Sequence, residues 1–364
     1  MPLNFRALLE GAVKNNASDV HMMEDVQPFF RIRGDLKRVE TPPLTAEDMR
    51  QLLHETMPEH LKGDLEANYH VDYSYEIPNV ARFRVVVYFQ TGRLCSAFRS
   101  IPMKIPTIDE LKHDKVVARI AENHRGMVLV TGITGSGKST TLAAMINHIN
   151  THEARRIIAI EDPVEFRYTN IKSLISQREV GSDVGSFADA LRSALRADPD
   201  VILVGEMRDV ETIRIAIKAT ETGHLVFSTL HTRGAVHTIQ RILGNFEQSE
   251  HDMLRDQLSL NMLAAMTQRL VKTADGKGRR AAVEIMVNNG VVAKLIRENR
   301  IADIQGYISS REEGMRTMDQ ALADLVRAKE VAIEEAQIHC NDFYALKRAI
   351  AGGSASGDKG GIIG

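Results

Sequence analysis

Residues 132–139, Gly-Ile-Thr-Gly-Ser-Gly-Lys-Ser, restrict the fold of this chain more than any other feature. They fit the pattern G-x-x-x-x-G-K-[ST], which needs a strand before it and a helix after it. Both are in place. Met127-Val128-Leu129-Val130 is an apolar run that predicts a buried strand, and Thr140-Thr141-Leu142-Ala143-Ala144-Met145-Ile146 predicts the helix. A glycine-rich turn in that setting lets backbone N–H groups close around clustered phosphates, and the helix N-terminus adds a favourable dipole. Gly132, Gly135 and Gly137 supply the turn, with Thr134, Ser136 and Thr140 as its polar lining. Lys138 is expected to reach the β- and γ-phosphates of a nucleoside triphosphate, and the Ser139 hydroxyl to ligate Mg²⁺.

The rest of the chain extends this pattern. Strands are expected near 127–131, 157–160, 201–204 and 225–229, alternating with helical segments. That rhythm predicts a mainly parallel sheet covered by helices, an α/β domain over about 114–350. Ligands of such sheets bind at the carboxyl ends of the strands. Three further patches fall there: Ile160-Glu161-Asp162-Pro163-Val164-Glu165, Val201-Ile202-Leu203-Val204-Gly205-Glu206-Met207-Arg208-Asp209, and Phe227-Ser228-Thr229-Leu230-His231-Thr232. Hydrolysis of a phosphoanhydride needs a metal, an oriented water and charge stabilisation. Glu206 is the candidate that orients or deprotonates water. Glu161 is placed to polarise that water or hold metal-bound waters, or else to cap a helix. His231 is either a reporter of the γ-phosphate or a buried structural histidine.

Residues 1–100 read as a separate small α+β unit. Phe5 to Lys14 and Thr45 to Met57 are expected helices, and Pro28 to Val39 and Val71 to Arg99 are mostly strand. Arg84 and Arg99 sit on these strands as candidate charge-stabilising fingers, with Arg82 a structural neighbour. Pro102 and Pro106 mark a linker over 101–113. Residues 235–350 are expected to be mostly helical, and the glycine- and serine-rich end, 351–364, to be disordered.

Composition excludes several classes. With 43% hydrophobic and 26% charged residues the 364-residue chain is an ordinary globular protein, large enough for two cores. A net charge of −2 argues against direct nucleic-acid binding. Two cysteines, Cys95 and Cys340, give no disulfide framework and no Cys-x-x-Cys metal site. No stretch approaches the roughly 20 apolar residues of a membrane span, so any membrane association is expected through partners.

Together, Gly132 to Thr140, Ile160 to Phe166, Leu203 to Asp209 and Ser228 to Thr232 resemble the Walker A, Asp-box, atypical Walker B and His-box motifs of the secretion-type traffic ATPases. The likeness continues in Gln177-Arg178-Glu179-Val180-Gly181 and Leu191 to Arg196, and covers about residues 1–345. Within that family the chain is similar to the type IV pilus retraction (PilT/PilU) branch. The resemblance implies a PAS-like N-terminal domain, a RecA-like ATPase domain, ATP and Mg²⁺ as ligands, and a homohexameric ring. It also implies an inner-membrane platform protein as partner, a cytoplasmic location at the inner membrane, Glu206 as catalytic glutamate, and Arg84 and Arg99 as arginine fingers.

Two features set the branch. Many extension and secretion relatives carry a tetracysteine insert and extra N-terminal domains, and neither is expected in this chain. Val291 to Glu298 resembles the retraction helix Ala-Ile-Arg-Asn-Leu-Ile-Arg-Glu in its second half only. By itself this segment reads as a helix with an apolar stripe of Val291, Val292, Leu295 and Ile296. Asp275 to Ala281 and the end around Asn341-Asp342-Phe343 are more similar to the accessory PilU type. The alternatives are therefore an accessory retraction ATPase working with a paralogous motor, and a DNA-transfer traffic ATPase.

Overall fold

The computed structural model describes residues 4–32, 34–101 and 103–352. The expected disordered end beyond Gly352 and the linker residue Pro102 lie outside these residues. The chain divides into two compact units. One contains the residues up to Ile105 together with Pro163–Arg167, and the other the remainder from Pro106 onward.

The first unit is built on a six-stranded antiparallel sheet in the order β3-β2-β1-β6-β5-β4. Its strands are β1 (Ala17–Met23), β2 (Phe29–Ile32), β3 (Asp35–Arg38), β4 (His70–Ile77), β5 (Ala81–Gln90) and β6 (Arg93–Ile101). Helices α1 (Phe5–Lys14), α2 (Ala46–Thr56) and α3 (Lys62–Asn68) accompany it. α1 turns Phe5, Leu8, Leu9 and Ala12 inward at helical spacing, and α2 starts from a reciprocal capping box between Thr45 and Asp48. Their apolar faces meet the alternating inward residues Phe83, Val85 and Val87 of β5 and Phe98 of β6 in one core. Strand β1 was not anticipated from sequence. Polar Ser18, Asp19 and His21 interrupt it, and it earns its place by pairing with both β2 and β6.

The second unit carries a seven-stranded sheet in the order β13-β12-β7-β11-β10-β8-β9. The strands are β7 (Gly126–Thr131), β8 (Arg156–Glu161), β9 (Leu174–Glu179), β10 (Val201–Val204), β11 (Leu225–Leu230), β12 (Met262–Lys272) and β13 (Arg279–Val287). All neighbours run parallel except β13, which pairs antiparallel with β12 at the edge. Both faces are covered. Val128 and Val130 of β7, Ala159 of β8 and Phe227 of β11 pack against α4 (Lys115–Ala121) and α5 (Lys138–His152). The alternate residues Met127, Leu129, Ile160 and Val204 face α6 (Phe187–Ala194), α7 (Val210–Glu221), α8 (Ala235–Leu243), α9 (His251–Asn261), α10 (Gly290–Arg297) and α11 (Ile304–Ile308). Burial on both sides is why these strands read as continuous apolar runs. A satellite core joins Val271 and Ala282 to α12 (Met318–Arg327), α13 (Ile333–His339) and α14 (Phe343–Ile350).

The expectation that 235–350 is mostly helical needs correction. β12 and β13 lie inside it and extend the main sheet, with a nine-residue register from Ala264↔Val287 to Lys272↔Arg279. Their sequences, Met-Leu-Ala-Ala-Met-Thr-Gln and Arg-Arg-Ala-Ala-Val-Glu, are rich in alanine and methionine, so β propensity does not mark them. The turn Asp275-Gly276 between them was the available sign. The expected apolar stripe on α10 is also narrower: Val292, Leu295 and Ile296 are buried, whereas Val291 faces solvent.

Candidate nucleotide site

Four neighbouring parallel strands, β7, β11, β10 and β8, end on one edge of the second sheet. In that order they deliver the 132–139 loop, His231, Glu206 and Glu161. The sequence-derived patches of this unit therefore share one edge because the strands are parallel, not because the residues are near in the chain.

The loop leaves β7 through Gly132, at φ +142°, where a Cβ would stand 2.6 Å from both the Gln268 carbonyl oxygen and Ser136 Oγ. Only glycine fits between that carbonyl and the loop. Gly135 and Gly137 also have positive φ, +77° and +90°. Gly137 serves as the N-cap of α5 with no side-chain cap, so the first amides of the helix are left facing the loop. Ser136 Oγ is buried and meets no hydrogen-bond partner within the protein. Lys138 is buried and its Nζ donates to the Gly132 and Ile133 carbonyls at 3.0 and 3.1 Å, folding the ammonium across the loop. Ser139 and Thr140 occupy the first turn of α5, half-buried, whereas Ile133 and Thr134 are exposed at the tip. Free amides, a lysine and an unsatisfied buried hydroxyl fit a phosphate chain. The Ser139 hydroxyl supplies a hard oxygen donor that suits Mg²⁺ held largely by phosphate oxygens.

Glu206 follows β10 on a turn held by Thr229, whose hydroxyl donates to the Gly205 carbonyl at 2.7 Å and whose carbonyl accepts from Met207 N–H at 3.3 Å. Its carboxylate lies between two side chains, Arg208 and His231. Arg208 Nη2 is 2.8 Å from Oε2 and His231 Nε2 is 3.3 Å from Oε1. The hydrogen bond to Glu206, followed by its charge and that of Asp162, holds the Arg208 guanidinium above its usual pKa. His231 is 46% exposed, so the buried structural reading does not apply to it.

Glu161 ends β8 one strand away. Its Cα is 3.3 Å from the position a Gly205 Cβ would take, and Gly205 N–H donates to the Ile160 carbonyl at 2.7 Å. The carboxylate is buried, and Oε1 accepts from Gln177 Nε2 at 3.2 Å. Asp209, the last acid of the Glu206 patch, caps α7 by accepting from Thr212 N–H at 2.8 Å.

Arg84 and Arg99 belong to the first unit and stand directly opposite each other on β5 and β6. Two like charges at one cross-strand position are unfavourable unless an anion faces them. Acids of the sheet take part of that charge. Arg99 Nε donates to Asp19 Oδ1 at 2.8 Å, and Arg84 Nη2 is 3.6 Å from Asp72 Oδ1. Burial pushes the Asp19 carboxyl up, but hydrogen bonds from Arg99 and Ser18 outweigh it and leave the pKa below the ordinary value. Arg82 is buried, in keeping with a structural role.

Sequence reasoning missed four partners in this arrangement. Arg208 was legible, two residues from Glu206. Asp19, Gln268 and His113 were not, because their partners Arg99 and Thr141 are 80, 127 and 28 residues away.

Comparison with known proteins gives the chain a family and close relatives. Residues 97–299 match the family described as Type II/IV secretion system protein. The chain is 51% identical over 312 residues to a twitching motility protein of Neisseria gonorrhoeae, covering 85% of this chain and 83% of that one. It is 44% identical to the type IV pilus retraction ATPase PilT of Pseudomonas aeruginosa, covering 92% and 99%. The type IV pilus ATPase PilU of the same organism is 37% identical, covering 97% and 93%. The crystal structure of a pilus retraction motor PilT with bound ADP superposes with a TM-score of 0.89 at 41% identity, covering 95% of this chain and 99% of that one.

Proposed function

We propose, from the premise that the chain belongs to the Type II/IV secretion system protein family, that it is an ATP-hydrolysing motor of type IV pilus retraction. One observation carries the reading. A phosphate loop and a carboxylate held between Arg208 and His231 share one sheet edge, in a chain that aligns with retraction ATPases over nearly its full length. When bound, ATP with Mg²⁺ would supply the phosphoanhydride and a cation that offsets its negative charge.

The protein's own part is binding, orientation and charge. The loop amides and Lys138 would hold the phosphates, and the Ser139 hydroxyl would supply an oxygen donor to Mg²⁺. Glu206 orients the attacking water and accepts its proton, with His231 and Arg208 setting the angle of the carboxylate. Glu161, on the adjacent strand, would hold water at the metal site. Arg84 and Arg99 would neutralise charge that grows on the phosphates. The same reading includes a homohexameric ring acting on an inner-membrane platform protein, at the cytoplasmic face of that membrane. Among the described residues no helix is long and apolar enough to cross it.

The test is retraction in a strain lacking its own retraction ATPases, supplied with wild type, Lys138→Ala or Glu206→Gln. Restoration by wild type alone supports the motor reading. Purified Glu206→Gln is expected to keep nucleotide affinity and lose roughly 100-fold or more in kcat, the scale of a lost general base; near-normal turnover would remove Glu206 from this role. ATP hydrolysis without retraction would favour the accessory reading over the independent motor. Overall identity, higher to PilT than to PilU, favours the motor.

A further inference from the structure

We propose that Gln268, Thr141 and His113 form a buried brace that positions the phosphate loop, so that these three are positioning residues for nucleotide binding. This rests on the nucleotide reading given above.

The loop has a mechanical problem. Three of its eight residues are glycines at positive φ, and its N-terminal helix cap has no side-chain bond. Such a segment holds its amides toward a ligand only if something outside grips it, since otherwise the ordering cost falls on binding. Strand β12 supplies the grip at both ends. At the entrance, the Gln268 carbonyl oxygen closes on Gly132, and Thr267 Oγ1 shares a 2.8 Å hydrogen bond with Thr131 Oγ1. At the exit, the Gln268 side chain, 1% exposed, donates from Nε2 to Thr141 Oγ1 at 2.8 Å. Leu270 lies 3.7 Å from the point a Gly137 Cβ would occupy. Thr141 is itself bonded through N–H to the Gly137 carbonyl at 3.0 Å, so fixing its hydroxyl fixes the turn that contains Ser139 and Thr140.

A second strut meets the same hydroxyl. His113 Nε2 is 2.9 Å from Thr141 Oγ1. His113 lies in the segment entering α4, and that segment is tied down independently. Arg280 of β13 donates to the Leu111 and Lys112 carbonyls at 2.7 and 3.3 Å, and His113 N–H donates to the Ile108 carbonyl at 3.1 Å. The Thr141 hydroxyl is thus held between the sheet on one side and an anchored turn on the other. Thr141, 2% exposed, is buried below the ligand-facing surface and acts through the loop.

The brace holds the loop equally in the ground state and the transition state. Its removal is therefore expected in nucleotide affinity rather than in the chemical step. The experiment measures ADP affinity by calorimetry and ATP KM and kcat on the full-length protein. The variants are Gln268→Leu, Thr141→Val, His113→Leu, His113→Gln and the double variant His113→Leu/Thr141→Val, each checked by thermal melting. The expected result is a roughly fivefold to twentyfold loss of ADP affinity in Gln268→Leu and Thr141→Val, the size of one buried hydrogen bond, with kcat within about twofold. Glutamine places a polar atom near the histidine Nε2 position, so His113→Gln restores affinity that His113→Leu loses. Once Thr141 lacks its hydroxyl, His113→Leu costs nothing more. Unchanged affinity in the folded Thr141→Val protein, or additive losses in the double variant, overturns the brace. Failure of wild type to bind ADP or ATP overturns the nucleotide reading itself and the brace with it. Should Gln268→Leu not fold, the histidine and threonine variants decide alone.

Discussion

Single residues in the loop have unequal tolerance, and the surroundings set the difference. Gly135 has positive φ but open space around its missing side chain, so Gly135→Ala is expected to cost about 1–2 kcal/mol of backbone strain. Gly132→Ala adds a methyl group 2.6 Å from a backbone carbonyl that cannot move without displacing β12. It should lower thermal stability more than Gly135→Ala and abolish ADP binding; melting and calorimetry on the pair check the ordering. Arg208 poses a different question. Its ion pair orients the Glu206 carboxylate but also occupies an oxygen of the proposed proton acceptor. Arg208→Ala is expected to lower kcat by about tenfold while leaving ATP affinity intact, as for an orienting contact outside the binding surface. Steady-state kinetics separate the two parameters.

At the scale of elements, Glu284 is a buried tie between helices. It is 1% exposed on β13, and its two carboxylate oxygens accept from Ala235 N–H at 2.8 Å and Met318 N–H at 3.2 Å, the first residues of α8 and α12. One charge thus satisfies two helix N-termini. Glu284→Gln turns one acceptor into a donor facing a backbone N–H and is expected to cost about 1–3 kcal/mol, read as a fall in melting temperature. The segment before α4 gives a pH dependence. Burial, with Arg280 and Arg316 nearby, pushes His113 down to about 4 from 6.5. Asp114 also faces Arg316, at 3.6 Å. Between those two values the unfolded chain binds a proton that the folded chain does not, so stability falls as pH drops from about 6.5 toward 4. The histidine contributes about 3 kcal/mol over that window. Denaturant titrations at pH 7 and pH 5 should show a steeper loss for wild type than for His113→Gln, which has no proton to gain.

For the whole molecule, the finger role proposed for Arg84 and Arg99 is the first thing to test. Both alanine variants are expected to bind ATP with wild-type affinity and to hydrolyse it at least about tenfold more slowly, as when charge stabilisation is lost; normal rates in both would remove the finger role. Light scattering with ATP present tests the ring, and a mass near six copies of the 40.5 kDa chain is the expected value. A net charge of −2 leaves little counterion release to drive DNA binding, so the purified assembly should not retain duplex DNA at physiological salt.

The sequence by itself determined the loop, the helix that follows it, the parallel core strands and the place of Glu161, Glu206 and His231 at the carboxyl ends of those strands. Each of these depends on short-range features: glycines at fixed offsets, buried apolar runs, an acid one or two residues beyond a strand. Only the tertiary structure decided what grips those residues. Strands β12 and β13 carry little β propensity of their own, because alanine and methionine favour helix, and β12 is fixed by pairing with β7 and β13 by pairing with β12. The partner of Arg99 is Asp19, the Thr141 hydroxyl is shared by Gln268 and His113, and Val291 faces solvent although it continues an apolar run. Contacts of that kind are set by strand order and helix docking. No local spacing encodes them, since the residues that meet are separated by tens to more than a hundred positions along the chain.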